Sequence, residues 1–231
     1  AAVAAQNNDF TTAKQNYDAA ISIIAKQPNS DLVLAVPEDL SEYIIITQAK
    51  TNAKEAQKCA LTLLELQMHC LSYWASQGYF ESKEDYVDNI SLAMISMGYT
   101  LADAGLFKDA EECLSAGVAI YPQLEICTPE YPLVYERLGY FYSEYCQDYI
   151  SELNCKYEGF KISTSLYGYD AELTQQIFNR LSTSYAFNFA FLAFAGESGE
   201  RFQNNNLMHV PYEQLIKLTE EWDRFRSEIV S

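Results

Sequence analysis

The stretch from Met94 to Pro122 constrains this chain more than any other, because its small residues, apolar residues and proline fall where a packed helical hairpin needs them. In order it carries Met94, Met97, Gly98, Leu101, Gly105, Phe107, Ala110, Leu114, Gly117 and Pro122. Apolar positions recur three and four apart on both sides of Gly105, so each half has one apolar stripe at the helical period. Gly105 is the predicted turn. Gly98 and Ala110 lack bulk where two antiparallel helices cross, and Leu101 and Leu114 fill around that contact. Pro122 has no amide hydrogen to give a continuing helix and is expected to end the second arm or start the next connection.

This spacing resembles the tetratricopeptide repeat, a 34-residue helix–turn–helix unit whose signature runs large apolar, Leu-Gly, Tyr, Ala, Phe, Pro. Met94 takes the first slot, Met97-Gly98 the second, Leu101 the third, then Ala110, Leu114 and Pro122 the rest. The alternative on the residues alone is an ordinary hairpin of a non-repeat bundle. The resemblance implies an all-α fold, an array of antiparallel helical hairpins winding into a superhelix, with a C-terminal capping helix. It also implies one repeat domain spanning 1–231, whose array starts upstream of the first residue.

The pattern can be followed along the chain. Phe10, Ala13 and Tyr17 repeat the spacing of Phe107, Ala110 and Leu114, so residues 1–27 read as the second half of a repeat. Pro28 to Asp31 is a predicted turn and Leu32 to Val36 a short apolar connector. A further period fits from Pro37 to Cys70, with Leu40, Tyr43 and Ile44 on a first arm and Ala56, Ala60 and Leu63 on a second. No Gly or Pro separates those arms near Thr51, so Glu42 to Gln77 could run as one long helix; a hairpin is favoured. Ser82 with Asp85 suits a helix start, and the helix it opens is expected to run to Ala104.

After a linker from Gln123 to Pro132, the residues Tyr135, Leu138, Gly139 and Tyr142 restate the signature, with one extra residue in the following turn. There Glu152 and Lys156 stand where the family has Ala and an aromatic residue. The second arm is expected either to shift or to use Leu153, Tyr157 and Phe160 instead. Glu172 to Ala195 is a strongly periodic helix, aromatic on nearly all sides from Tyr185 onward. Gly196 to Asn206 reads as a loop. Pro211 opens a last amphipathic helix with Tyr212, Leu215, Leu218, Trp222, Phe225 and Ile229, expected to cap the array.

The chain has 32 acidic against 15 basic residues, a net charge of -17. With no basic cluster it is a poor binder of phosphate backbones, which excludes nucleic acid as a partner of this domain, and adsorption to anionic lipid is disfavoured too. Apolar runs are too short to cross a bilayer, so no membrane insertion is expected. The same charge speeds encounter with a basic protein or peptide. Six cysteines, at 59, 70, 113, 127, 146 and 155, form no C-x-x-C pair and fall within helical patterns. They read as reduced, buried thiols, which suggests a cytoplasmic location.

Tests for chemistry come back empty. His69 and His209 lack partners at metal spacing, so neither a metal nor another cofactor is called for. Gly196-Glu197-Ser198-Gly199 lacks the residue that a nucleophile elbow needs between Ser and Gly. Glu111-Glu112 and Glu220-Glu221 diverge on helices and read as solvated faces. Asn89-Ile90-Ser91 matches a glycosylation acceptor but sits inside a predicted helix.

What remains is a surface. The family resemblance implies a concave groove lined by first arms. By slot its lining is Leu92, Ile95, Tyr99 and Ala102 from one repeat, and Leu133, Glu136, Tyr140, Ser143 and Glu144 from the next, joined by Asn179 and Thr183. The binding set is therefore Ile95, Tyr99, Glu136, Tyr140, Ser143, Glu144, Asn179 and Thr183. Aromatic and acidic side chains there suit a basic, apolar protein or peptide. The expected function is a non-enzymatic protein-interaction scaffold; the alternative is a peptide- or ligand-sensing domain of a larger, transcriptional regulator.

Overall fold

A computed structural model of the chain describes residues 9–26 and 38–197, with the isolated positions 4, 220, 223 and 227. Among these residues every regular element is helical: α1 (Phe10–Lys26), α2 (Glu38–Thr51), α3 (Ala53–Ser76), α4 (Lys83–Asp103), α5 (Phe107–Leu124), α6 (Glu130–Phe141), a π-helical turn (Tyr142–Cys146), α7 (Tyr149–Tyr167) and α8 (Glu172–Glu197). The all-α expectation holds. The turn Pro28–Asp31, the connector Leu32–Val36, His209 and the capping helix from Pro211 lie outside the described residues. So do the side chains of Leu40, Tyr43 and Ile44 and those of α8 from Phe187 onward. Of the loop expected over Gly196–Asn206, the first two residues still belong to α8.

The helices form two compact units, one ending at Thr128 and the other beginning at Pro129. In the first, α1 buries Ala13 and Tyr17, and the Tyr17 hydroxyl donates to the Cys59 carbonyl oxygen at 3.3 Å. The long-helix alternative for Glu42–Gln77 fails at Asn52. Its backbone is extended (φ -158°) and its side chain accepts from the Glu55 amide at 3.3 Å, so it starts α3 as an N-cap. The chain therefore reverses without glycine or proline. The second-arm residues Ala56, Ala60 and Leu63 are buried as expected. At the start of α4, Ser82 Oγ accepts from the Asp85 amide at 3.1 Å while Asp85 Oδ2 accepts from the Glu81 amide at 3.3 Å.

Gly105 makes the turn between α4 and α5 with φ at +78°, a region other residues rarely enter. The seam that follows is set by two glycines. A methyl group on Gly98 would lie 2.5 Å from Leu114 Cγ and 3.2 Å from the Ala110 carbonyl oxygen; one on Gly117 would lie 3.1 Å from the Ser91 carbonyl oxygen and 3.3 Å from Met94 Cβ. Ser91 Oγ donates to the Gly117 carbonyl at 2.8 Å inside this seam. At its far end Asp88 accepts from Tyr121 and Thr128 hydroxyls, both at 2.8 Å. Pro122 does not end the arm. The helix α5 runs two residues past this proline to Leu124 before Glu125 closes it in the left-handed region (φ 55°).

The second unit repeats this seam. A methyl group on Gly139 would lie 3.2 Å from the Glu152 carbonyl oxygen, and one on Gly159 would lie 2.7 Å from the Pro132 carbonyl oxygen and 3.3 Å from Tyr135 Cβ. Gly139 thus corresponds to Gly98, Gly159 to Gly117 and Glu152 to Ala110, and the three steps along the chain are nearly equal. The carbonyl contacts correspond, over a period longer than the tetratricopeptide unit, while the side chains beside them differ. The extra residue is taken up in the π-helical turn, the usual way a helix absorbs an insertion. The second arm is not shifted: Glu152 keeps the slot of Ala110 against α6. Leu153 and Phe160 face elsewhere, forming with Ile177 and Leu181 of α8 a core on which Leu133 and Tyr157 pack.

The cysteine reading needs correction in part. Cys59, Cys70 and Cys155 are buried thiols, and burial pushes Cys155 up to about 12. Cys127 and Cys146 are exposed, and Cys127 lies in the linker after α5, where no helical face buries it.

Candidate functional site

In the second unit, Glu136 on α6 forms an ion pair with Arg180 on α8. Its carboxyl is held above its ordinary value by burial, with Arg180 and Lys156 pulling the other way. The pair brings Glu136 beside the exposed strip of α8 that carries Asn179 and Thr183; the Thr183 hydroxyl donates to the Asn179 carbonyl at 2.8 Å. One turn on from Glu136, Tyr140 is 52 % exposed. Ser143 Oγ donates back to the Tyr140 carbonyl at 3.1 Å, and Glu144 is exposed on the π-helical turn.

Close by, Lys156 Nζ donates to Glu152 Oε1 at 2.6 Å and to Ser184 Oγ at 2.5 Å. A serine beside a lysine invites comparison with a catalytic pair. Here the ammonium is committed to a carboxylate, and Ser184 lies mid-helix, where backbone N–H groups are spent on the helix ladder and supply no oxyanion hole. The cluster ties α7 to α8.

In the first unit the predicted residues part company. Ile95 is buried, with Cγ1 where a methyl on Gly117 would reach it at 3.1 Å, so it fills the hairpin seam and offers no surface. Ala102 is buried as well, while Leu92 and Tyr99 are half-buried. Tyr99 is thus less available than Tyr140, its counterpart by slot in the second hairpin.

A concavity the sequence reading missed lies elsewhere in the first unit, between the second arms α3 and α5. It measures about 260 Å³ and is lined by Leu61, Leu64, Met97, Leu101, Cys113 and Ala116, with Gln57, Asp109 and Glu112 at its polar edge. Gln57 Nε2 donates to Asp109 Oδ1 at 2.5 Å near the N-terminal ends of both helices. Leu61 is 54 % exposed there. The Cys113 thiol is pushed up by burial, and Asp109 and Glu112 add to the shift. A signal was present in the sequence: Leu61 and Leu64 stand beside the buried slots Ala60 and Leu63, widening the apolar stripe of α3 beyond what α4 alone covers.

Among the described residues no cluster of side chains suits a metal ion, and no helix is long and apolar enough to cross a membrane. His69 is exposed. No family model, curated protein or solved structure matches this chain.

Proposed function

We propose that the chain is a protein-interaction scaffold built from helical repeats, similar in kind to tetratricopeptide arrays but with a longer unit, binding a basic partner and performing no chemistry. The observation that carries this reading is the recurrence of one hairpin seam, in which Gly139 and Gly159 repeat the carbonyl contacts of Gly98 and Gly117. Repeats of this kind bury their core between neighbouring helices and leave outward faces free for partners. The exposed ring of Tyr140, in the same unit as the exposed Glu144 and as Asn179 and Thr183 of α8, supplies an aromatic anchor with acidic and polar groups for its rim. Tyr99 takes the equivalent slot in the first unit. A ligand-sensing role has less support, since 260 Å³ lies below the ~300 Å³ from which drug-sized sites begin.

The test is affinity capture from lysate of the source cells, with retained proteins released by salt, followed by binding measurements on the purified partner. Tyr140→Ala is expected to weaken binding roughly thirtyfold while melting within about a degree of the parent, because the ring is half in solvent. Failure to retain any protein, across salt conditions and with the fold intact, overturns the scaffold reading.

A further inference from the structure

We propose that the concavity between α3 and α5 receives an amphipathic helix of a basic partner, which seats one apolar side chain among Leu61, Leu64, Met97 and Leu101 and sets a lysine or arginine on Asp109 and Glu112. This deepens the scaffold reading and rests on it for the existence of a partner.

Three features fix the occupant's chemistry. The floor is apolar, and its volume of about 260 Å³ is enough for one large anchor side chain and lies below the ~300 Å³ from which drug-sized sites begin. Its charged lining residues, Asp109 and Glu112, are both acidic. An anionic segment or a nucleic acid would meet like charge at that edge, and a second copy of this chain, at -17, would meet it over the whole surface.

Both carboxylates are placed to receive a cation. Gln57 holds one oxygen of Asp109 at 2.5 Å and so orients the group without neutralising it. Glu112 faces Lys108 at 3.8 Å, with the two side chains 69 % and 88 % exposed; a pair so solvated yields readily to a partner's cation. The walls are two helices, and a third helix laid along them can present anchors at i, i+3 and i+4, one of which enters while the next position carries the charge.

Cys113 reports on occupancy, because it lines the concavity and is half-buried, whereas Cys127 and Cys146 are exposed outside it. The probe is a short synthetic helix of leucine and lysine with leucine at helical spacing, against a leucine–glutamate control of the same pattern. Carboxamidomethylation of each cysteine is followed by mass spectrometry at mildly alkaline pH, since the Cys113 thiol is pushed up. The lysine peptide is expected to slow Cys113 about tenfold and to leave Cys127 and Cys146 unchanged; the glutamate peptide should do nothing. Leu61→Lys, at an exposed position, should restore the Cys113 rate and weaken peptide binding about tenfold or more. Asp109→Asn with Glu112→Gln should weaken it and flatten its salt dependence.

Equal slowing of all three cysteines, or affinity unchanged by Leu61→Lys, overturns the proposal. Slowing of Cys113 with protein concentration, in the absence of peptide, also overturns it by giving the concavity to a second copy. The two readings fail separately. A cellular partner still held by Leu61→Lys keeps the scaffold and removes this site, whereas specific protection of Cys113 with no cellular partner captured keeps the site and removes the scaffold.

Discussion

The α4–α5 and α6–α7 hairpins make the same backbone crossing and fill it with opposite chemistry. In both, a methyl group on the first-arm glycine would lie 3.2 Å from a second-arm carbonyl oxygen, that of Ala110 in one and of Glu152 in the other. The next slot along holds Leu114, fully buried, in the first hairpin and Lys156 in the second. An apolar pair has thus been exchanged for an ion pair, with side chains only 10 % and 17 % exposed, anchored to Ser184 on α8. The backbone geometry survives the exchange because it depends on the glycines. What changes is the next layer: α7 is covered by α8, and the ion pair reaches Ser184 in that layer, while a different face of α5, carrying Asp109, Glu112 and Cys113, lines the concavity.

The largest effect is expected from breaking the exchange halfway. Lys156→Leu leaves Glu152 buried without its cation and should cost about 3 kcal/mol, while Glu152→Ala with Lys156→Leu rebuilds the Ala110–Leu114 arrangement and should recover most of that loss. Urea unfolding of the single and double variants decides. A double variant as unstable as the single would mean the two seams are not interchangeable.

The glycines come next. In the second hairpin a methyl on Gly159 meets the Pro132 carbonyl oxygen at 2.7 Å, a backbone atom that can retreat only if the helices separate. In the first, a methyl on Gly98 meets Leu114 Cγ at 2.5 Å, a side-chain atom that can shift only by repacking a fully buried leucine, and stands off the nearest carbonyl oxygen, that of Ala110, at 3.2 Å. Against an intrinsic helical gain of about 1 kcal/mol for Gly→Ala, overpacking should leave Gly159→Ala about 2 kcal/mol and Gly98→Ala about 1 kcal/mol less stable. Thermal melts that rank them the other way would show the second seam to be the softer one.

These differences also explain what could be read in advance. Gly98, Gly105, Ala110 and Leu114 announced the first hairpin because its contacts are local and apolar, so period and side-chain size carry the information. Ser82 and Asp85 announced the start of α4 by capping chemistry. Asn52 did the same work for α3 and passed unnoticed, since an asparagine cap inside a helical run resembles any polar surface residue. Glu152 and Lys156 looked like a broken repeat because their compensation, Ser184, comes from another helix well along the chain. The α3–α5 concavity is harder still: Leu61 and Asp109 acquire meaning only when two second arms lie side by side. Ile95 was drawn into the expected surface by slot alone, and the seam against Gly117 claims it.

The smallest effect concerns Glu136, which takes in the second hairpin the slot that Ile95 holds in the first. Where the first hairpin buries an isoleucine, the second buries a carboxyl whose affinity for its proton is raised by lost hydration more than Arg180 and Lys156 lower it. The folded chain therefore holds a proton at Glu136 over a pH range beginning near the ordinary value of 4.5 in which the unfolded chain has released it. Stability from this group is largest on the acid side and falls as pH rises through that range, since the folded state binds the extra proton. Glu136→Gln keeps an acceptor for Arg180 and removes the titration. The difference in unfolding free energy between parent and variant should shift in the variant's favour as pH rises from below 4.5 toward neutrality, with no such drift for Ile95→Val in the first hairpin. A difference independent of pH would show that Arg180 compensates fully for the burial, making the two slots equivalent in spite of their chemistry.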